Sequence, residues 1–396
     1  MRYSLATRLV LPVGWLLTAL SLVASLCVVQ ARAASLLDVP DIRLDASSFV
    51  LMEQSTGTLV KSRQPDARIQ PASLTKLMTA YVLAESIKQG DIKLEQQTTI
   101  SRNAWRIPGS TMFLEAGDVV SIEQLLLGLV VHSGNDAAVA IAELVSGGVA
   151  RFVERMNQEA QRLGMTNTSY RNPNGLSEEG QYTTARDTAT LTRALIAEHP
   201  AIYKRFYAEK SFTYRGITQH NRNRLLWLDE GFDGVKTGHI EAAGYHTVVS
   251  ARRDDIRFIG VLLGAKSEKA RTAQARKLMD WGFRHFHLYS FYQPFTELGR
   301  VRVWMGDTQE VAVGIVEPVV MVLARERSHR IDARLLLVQY QRAPIAAGRQ
   351  MGELVISLGD EELRRVEIIA LDEVAQGGFF SRIIDWCKLQ LLKFNV

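Results

Sequence analysis

The chain has little cysteine and only a small excess of charge, and both scarcities exclude whole classes of protein. Two cysteines among 396 residues exclude a disulfide scaffold and a cysteine-rich zinc module. The formal net charge is +5, but Arg2, Arg8 and Arg32 fall in residues 1–33, which contain no acid, so the remainder carries +2. No basic stripe with interleaved aromatic residues is present, so we expect no nucleic-acid partner.

Several catalytic motifs are also missing. The sequence contains no H-E-x-x-H, no G-x-S-x-G and no glycine-rich phosphate loop. These absences disfavour a zinc peptidase, an α/β-hydrolase and a nucleotide-dependent enzyme, and we expect neither a metal nor a cofactor. With 47% hydrophobic and 22% charged residues the composition is that of an ordinary globular protein, long enough for two domains.

The N-terminus has the layout of a secretory signal peptide. Two arginines precede an uncharged run from Leu9 to Val29, and Ala31 and Ala33 then form a small-x-small cleavage site. An uncleaved anchor is the alternative, because the run is long enough to span a bilayer. Pro12 and the closely following cleavage site favour removal of residues 1–33.

The first 250 or so residues after this segment predict one α/β unit. Ser48–Val60 is predicted to form a β-hairpin, and Pro71–Leu195 has mostly helical spacing. Val235–Ala265 contains two apolar runs typical of strands, and Ala273–Phe286 is predicted to be a closing helix. Strands at both ends with helices between them indicate a sheet flanked by helices.

The pattern changes after Tyr289. Residues 290–375 contain short alternating runs at hairpin spacing, which predict a small all-β domain. Gly377-Gly378 then precedes Phe379–Val396, where apolar residues recur at helical spacing opposite a mostly basic face. We interpret this last segment as an amphipathic helix that lies on a membrane surface, and a helix docked on its own domain is the alternative.

Three short motifs carry the chemistry. In S-x-x-K, Ser73 and Lys76 lie one helical turn apart, so that the lysine amine can act as base for a serine nucleophile. In S-x-N, Ser133 can relay a proton and the amide of Asn135 can hold a substrate amide. The K-T-G motif, with Lys236 as a fixed cation, opens a strand whose edge can pair with an extended peptide.

Each motif alone is weak, but the three in this order and context are typical of serine penicillin-recognising enzymes. The chain resembles the D-alanyl-D-alanine carboxypeptidases related to penicillin-binding proteins 5 and 6. The stretches that carry this resemblance are Pro71–Thr79, Ser133–Ala137, Asn172–Leu176, Gly180–Asp187, Asn221–Asn223 and Asp233–His239. The resemblance itself covers nearly the whole chain after residue 33, including the C-terminal amphipathic segment.

The resemblance implies roles for individual residues. The catalytic set is Ser73 as acyl-ester nucleophile, Lys76 as its base and Ser133 as proton relay. The backbone N–H groups of Ser73 and His239 would form the oxyanion hole. The substrate-binding set is Asn135, Lys236, Thr237, Gly238, His239, Arg186 and Arg271.

The resemblance also implies an architecture and a location. Residues 40–288 would form a catalytic domain of the β-lactamase/transpeptidase-like kind, with an antiparallel sheet flanked by helices. Residues 290–375 would form a sandwich-like β domain, and residues 379–396 an anchor on the inner-membrane surface. We therefore expect a periplasmic serine-type D-Ala-D-Ala carboxypeptidase that acts on peptidoglycan stem peptides ending in D-Ala-D-Ala and is acylated by β-lactams.

Two departures from the family pattern concern the rate of turnover. Ile240 follows His239 where a threonine is usual, and the segment 106–111 is shorter than in the best-known relatives. These differences concern the rate of deacylation and not that of acylation.

Three alternatives stay open on the sequence. A DD-endopeptidase would use the same active site. A weak β-lactamase would also use it, although no Glu-x-x-Leu-Asn element lies between Ser133 and Lys236. A non-catalytic scaffold that binds the wall through residues 290–375 is disfavoured, because all of the motif residues are intact.

Overall fold

The computed structural model describes residues 39–325 and 331–394, so the predicted signal peptide lies outside the described residues. The helices of this part of the chain are α1 (Thr75–Lys88), α2 (Arg102–Arg106), α3 (Ile122–Leu127), α4 (Asn135–Ser146), α5 (Val149–Arg162), α6 (Ala185–Glu198), α7 (Pro200–Phe206), α8 (Leu225–Leu228), α9 (Glu268–His285) and α10 (Phe379–Phe394). A 3₁₀ turn, Ala72–Leu74, precedes α1, and a π-helical turn, Gly128–His132, follows α3.

The strands fall into an N-terminal group and a C-terminal group. The first group is β1 (Ser48–Glu53), β2 (Leu59–Arg63), β3 (Gln97–Thr99), β4 (Val119–Ser121), β5 (Ser211–Tyr214), β6 (Ile217–His220), β7 (Phe232–Ile240), β8 (Gly244–Arg253) and β9 (Ile256–Ala265). The second is β10 (Phe286–Tyr292), β11 (Gly299–Trp304), β12 (Glu310–Gly314), β13 (Val319–Ala324), β14 (Ile331–Leu337), β15 (Gln341–Arg342), β16 (Gln350–Leu358) and β17 (Glu361–Ala370).

A five-stranded antiparallel sheet organises the first part of the fold. Its strand order is β2-β1-β9-β8-β7, so the early hairpin joins three strands that follow the helices in sequence. This arrangement confirms the predicted α/β fold. Strand β7, which carries the K-T-G motif, lies at one edge of the sheet, and among the described residues no strand pairs with its outer side.

Both faces of this sheet are covered. On β1, Val50 and Met52 pack into the core formed with α1, α4 and the other central helices. Phe49 and Leu51 point the opposite way and pack with α9. This alternation is the period of two expected for a strand buried on both faces, which explains why the sequence there is a continuous apolar run.

Helix α9 begins five residues earlier than predicted. Ser267 has an extended backbone, and its hydroxyl accepts a hydrogen bond from the backbone N–H of Ala270 at 3.1 Å. This N-cap starts the helix at Glu268, whereas the apolar periodicity becomes visible only from Ala273. The extra turn brings Arg271 onto the helix, where it is buried.

The C-terminal part is built from strands and a final helix. A six-stranded sheet has the order β14-β16-β17-β12-β11-β15, and β10 pairs with β13 in a second, two-stranded sheet. A separate apolar core lies within this unit. Across the two described segments of the chain, no helix is both long enough and apolar enough to span a bilayer.

Candidate active site

The serine and lysine of the S-x-x-K motif contact each other. Ser73 lies in the 3₁₀ turn and Lys76 in the first turn of α1, and the Lys76 Nζ atom is 3.1 Å from the Ser73 Oγ atom. Lys76 is only 1% exposed, whereas Ser73 reaches the surface of a cavity. The pair therefore joins a buried amine to an accessible hydroxyl.

Lys76 is surrounded by oxygen acceptors rather than by a carboxylate partner. Its Nζ atom lies 2.7 Å from Asn135 Oδ1 and 2.5 Å from the carbonyl oxygen of Asn174, besides Ser73 Oγ. Burial, together with the nearby Arg222 cation, lowers the pKa of Lys76 to about 7, and Asp136 partly opposes the shift. A neutral amine has a lone pair, which a lysine ammonium lacks, and can therefore accept a proton from Ser73 at neutral pH.

Ser133 enters the same cavity from the turn between α3 and α4. The π-helical turn ends at Ser133, whose φ of 70° places it in the left-handed region. Its buried Oγ atom has no hydrogen-bond partner among the described residues. Because unpartnered buried hydroxyls are costly, this one is a candidate for a bond that forms only with substrate.

Asn135 and Asp136 hold the short segment beside the site. Asn135 Nδ2 donates to the carbonyl oxygen of Pro108 at 2.6 Å. The carboxylate of Asp136 accepts hydrogen bonds from the backbone N–H groups of Met112, Leu114 and Ala137 at 2.9 to 3.1 Å. Burial raises the pKa of Asp136, and these backbone donors partly offset the shift.

We expect Asp136→Asn to lower the free energy of unfolding by about 2–3 kcal/mol. The amide keeps the size of the side chain but replaces one acceptor oxygen with a donor that faces backbone N–H groups. Urea denaturation followed by circular dichroism measures the change, with the exposed Asp91→Asn as the matched control. Equal stabilities of the two variants would show that the buried carboxylate does not hold the segment.

Strand β7 forms the opposite wall. Lys236 is buried with its Nζ atom 3.0 Å from the carbonyl oxygen of Thr237. Burial, together with the basic groups of Lys76, Arg222 and Arg271 nearby, lowers the pKa of Lys236 well below its usual value. A Cβ atom at Gly238 would lie 3.3 Å from the backbone nitrogen of Ser73, so glycine allows this strand to approach the nucleophile closely.

The remaining wall carries two arginines. Arg222 donates to Ser110 Oγ at 3.0 Å, and Arg271 Nη2 lies 3.4 Å from the carbonyl oxygen of Arg222. Glu268 is 3.7 Å from Arg271 and is the acidic side chain in the cavity lining. The surplus of positive charge suits a substrate with a free carboxylate.

Arg222 was not among the residues assigned a role from the sequence, although the Asn221–Asn223 stretch contributed to the resemblance. Asn223 anchors this stretch, because its Nδ2 atom donates to the carbonyl oxygen of Gly234 at 2.8 Å. The backbone oxygen of Asn174, which contacts Lys76, was missed as well, and no residue type marks a carbonyl acceptor. In the sequence, the neighbouring Gly175 is the residue that indicates close packing of this segment, because a Cβ atom there would lie 1.9 Å from the carbonyl oxygen of Ala72.

Arg186 is not brought to the site, which corrects the expectation for this residue. Its guanidinium pairs with Asp66 at 2.7 Å, half-exposed at the beginning of α6. Arg186 is also not among the described residues that line the cavity beside Ser73.

The site residues enclose one cavity of about 260 Å³. It is lined by Ser73, Ser133, Arg222, Thr237, Gly238, His239, Tyr245, Glu268 and Arg271. Lys76, Asn135 and Lys236 are buried close behind this lining. A larger cavity of about 960 Å³ lies along α9, but none of its lining residues belongs to the predicted site.

A serine hydroxyl bonded to a buried lysine amine, beside the edge of an antiparallel sheet flanked by helices, defines a serine acyl-transfer enzyme of the penicillin-recognising kind. Residues 33–267 match the family described as D-alanyl-D-alanine carboxypeptidase. Residues 284–376 match the family described as penicillin-binding protein 5, C-terminal domain.

Individual relatives agree over most of their length. D-alanyl-D-alanine carboxypeptidase DacC of Escherichia coli is 38% identical over 355 residues, which cover 88% of each chain. The crystal structure of penicillin binding protein 5 from Haemophilus influenzae is 36% identical with a TM-score of 0.80, covering 86% of this chain and 100% of that one.

A solved structure of penicillin-binding protein D2 from Listeria monocytogenes in its ampicillin-bound form covers 62% of this chain and 100% of that one, with 27% identity and a TM-score of 0.57. The chain belongs to the D-alanyl-D-alanine carboxypeptidase family. The resemblance drawn from the sequence and the prediction of a serine-type carboxypeptidase are thereby confirmed.

Proposed function

We propose that this enzyme removes the terminal D-Ala from peptidoglycan stem peptides through an acyl-enzyme on Ser73. The observation that carries the proposal is the 3.1 Å contact between Ser73 Oγ and the amine of Lys76, whose pKa is about 7. Residues 40–288 carry the reaction in this proposal.

The first half of the reaction forms the ester. Ser73 Oγ attacks the carbonyl carbon of the penultimate D-Ala while its proton passes to the Lys76 amine. The resulting oxyanion is held by the backbone N–H groups of Ser73 and His239, and the close approach at Gly238 supports this placement. The C–N bond then breaks, and the leaving amine takes a proton relayed by Ser133.

The second half releases the acyl group. Water attacks the ester carbonyl, the Ser73 Oγ–carbon bond breaks, and the hydroxyl regains its proton. Before its release in the first half, the terminal D-Ala is recognised through its carboxylate by the cationic wall formed by Arg222 and Arg271, with Lys236 and Thr237 on the neighbouring strand. β-Lactams carry a carboxylate and a reactive amide in a similar relation, and we propose that they acylate the same serine.

The test is the release of free D-Ala over time from a synthetic stem peptide ending in D-Ala-D-Ala. We expect many equivalents of D-Ala per enzyme. One equivalent followed by silence would mean that the ester forms but is not hydrolysed, and would direct attention to the short 106–111 segment. No release at all would contradict the proposal, while cleavage of a cross-linked dimer alone would favour an endopeptidase.

The C-terminal helix supports a membrane location. On α10, Asp385 is buried and its carboxylate accepts a hydrogen bond from the backbone N–H of Met305 at 2.8 Å, and Leu389 is also buried. Among the residues 379–390 of this helix, those that are bulky, apolar and exposed are Phe379, Phe380, Ile383, Ile384 and Trp386. The helix therefore docks through an acid and a leucine and leaves most of its described apolar surface outward.

We propose that α10 rests on the outer surface of the inner membrane, that residues 290–375 support the catalytic domain above it, and that residues 1–33 export the chain. Arg382 and Lys388 outnumber the single acid among the first ten residues of the helix, and that acid is buried. The exposed apolar side chains would enter the interface while the cations meet anionic lipid head groups.

Ile383→Asp/Ile384→Asp is expected to weaken binding to vesicles of phosphatidylethanolamine and phosphatidylglycerol by at least about 100-fold, because burial of each isoleucine contributes about 1.5–3 kcal/mol. Vesicle sedimentation of the chain without residues 1–33 measures the effect. Val338→Asp removes a similarly exposed apolar residue from the β domain and is the control. Equal binding of the double variant and the control would contradict the membrane role of α10.

A further inference from the structure

Three potential metal ligands meet near the C-terminal end of α1, the helix whose first turn carries Lys76. Glu85 lies in the last turns of α1, Glu198 is the last residue of α6, and His199 follows it directly. One ligand atom from each residue lies within 4.8 Å of the other two. The two helices come from distant parts of the sequence, so no local motif announces the cluster.

His199 is the buried member of this cluster. It is 5% exposed, and its Nε2 atom is 2.9 Å from Glu85 Oε1. Even so, within the described part of the chain Nε2 has no partner that meets both the distance and the angle of a hydrogen bond. Imidazole binds metals through an unprotonated ring nitrogen, and this unpartnered Nε2 atom is the one that faces the two carboxylates.

Glu198 is oriented by groups outside the cluster. Its Oε2 atom accepts hydrogen bonds from Tyr81 Oη at 2.6 Å and from Arg162 Nη2 at 3.1 Å, and Oε1 remains for another partner. The Tyr81 ring meets the His199 ring edge-on at 5.0 Å between centroids and restricts its orientation. Such supporting contacts are typical of metal ligands.

The charged side chains around the cluster have a net negative charge, which favours a bound cation. Lys88 is 3.9 Å from Glu85, and Arg162 is shared between Glu159 and Glu198. Three carboxylates thus face two permanent cations. The side chain of Glu198 is 32% exposed and provides a path from solvent.

We propose that Glu85, Glu198 and His199 form a structural site for a divalent transition metal, with Zn²⁺ as the ion that fits best. One imidazole nitrogen and two carboxylate oxygens are ligands that zinc accepts, and water would complete a four-coordinate shell. The ion would tie the end of α1 to the end of α6. It would have no part in catalysis, since α1 separates the cluster from Ser73 by more than three helical turns.

Metal binding can be measured directly on the full-length chain, purified in a mild detergent and stripped with a chelator. We expect ZnCl₂ to raise the melting temperature by about 5 °C or more once zinc exceeds its dissociation constant 100-fold. We also expect Co²⁺ to give visible absorption bands at one equivalent per chain. His199→Gln and Glu85→Gln should abolish both effects, whereas the exposed His220→Gln should retain them.

The variants must remain folded for this comparison, and stoichiometric acylation by a fluorescent penicillin checks that separately from metal binding. If zinc leaves the melting temperature of the wild-type chain unchanged, or if His199→Gln binds Co²⁺ with the same spectrum, the proposal is overturned. A lower melting temperature of His199→Gln that does not depend on zinc would show that His199 and Glu85 act only as a buried ion pair.

Discussion

Replacing Ser73 with alanine is expected to lower the rate of D-Ala release by at least about 10⁴-fold and to abolish covalent labelling by penicillins. The variant removes the attacking oxygen and leaves Lys76, Ser133 and the cationic wall in place. A water molecule replaces the serine oxygen poorly, because the reaction depends on an oxygen atom held 3.1 Å from the Lys76 amine.

Intact-protein mass spectrometry after incubation with a penicillin gives the sharpest measurement. The wild-type chain should gain the mass of one β-lactam, and Ser73→Ala should gain none. Ser211→Ala, at an exposed position on β5, should be labelled like the wild type. A full mass increase in Ser73→Ala would assign the nucleophile to another residue.

Ser133 is the residue that such a result would implicate first, because its hydroxyl lines the same cavity. Ser133→Gly is the suitable variant, since glycine adopts the positive φ of this position without strain. If Ser133 relays the proton to the leaving group, this variant should still be labelled, but slowly. Slow labelling of Ser133→Gly together with no labelling of Ser73→Ala separates the two roles.

The sequence predicts best what depends on local pattern. The hairpin and the apolar runs of β8 and β9 follow from residue pattern and turn residues and agree closely with the observed strands, whereas the closing helix begins five residues before its predicted start. The three motifs also predict their neighbours in space, because Ser73, Ser133 and Thr237 line one cavity. A one-turn spacing or a strand edge is a short-range property that residue types reveal.

Contacts between distant segments are harder to predict. Arg222 reaches the site through Ser110, which is 112 residues away, and nothing in Asn-Arg-Asn indicates that bond. Arg186 is the converse case: it lies in a stretch that matches the family and was expected at the site, but its guanidinium pairs with Asp66. The carbonyl oxygen of Asn174 beside Lys76 could not be predicted either, because every residue has one.

Lys76→Met is expected to reduce the second-order rate of penicillin acylation by about 10³-fold at pH 7.5, within the range for loss of a general base. Methionine fills the space of the lysine stem but cannot accept the Ser73 proton. Lys76→Arg should be as inactive, because a guanidinium stays protonated in proteins. The exposed Lys93→Met should acylate at the wild-type rate.

The pH dependence of acylation tests the role of Lys76 as the base more directly than the loss of rate in Lys76→Met does. The neutral amine is the active form and its pKa is about 7, so the wild-type acylation rate should rise about tenfold per pH unit below pH 7 and level off above it. Lys236 also has a lowered pKa, but loss of its charge at higher pH would weaken binding of the substrate carboxylate and act in the opposite direction. Stopped-flow acylation between pH 5.5 and 8.5 should therefore show an ascending limb in the wild type and none in Lys76→Met. If the limb persists in Lys76→Met, another group is the base, and the contact between Lys76 and Ser73 serves only to position the nucleophile.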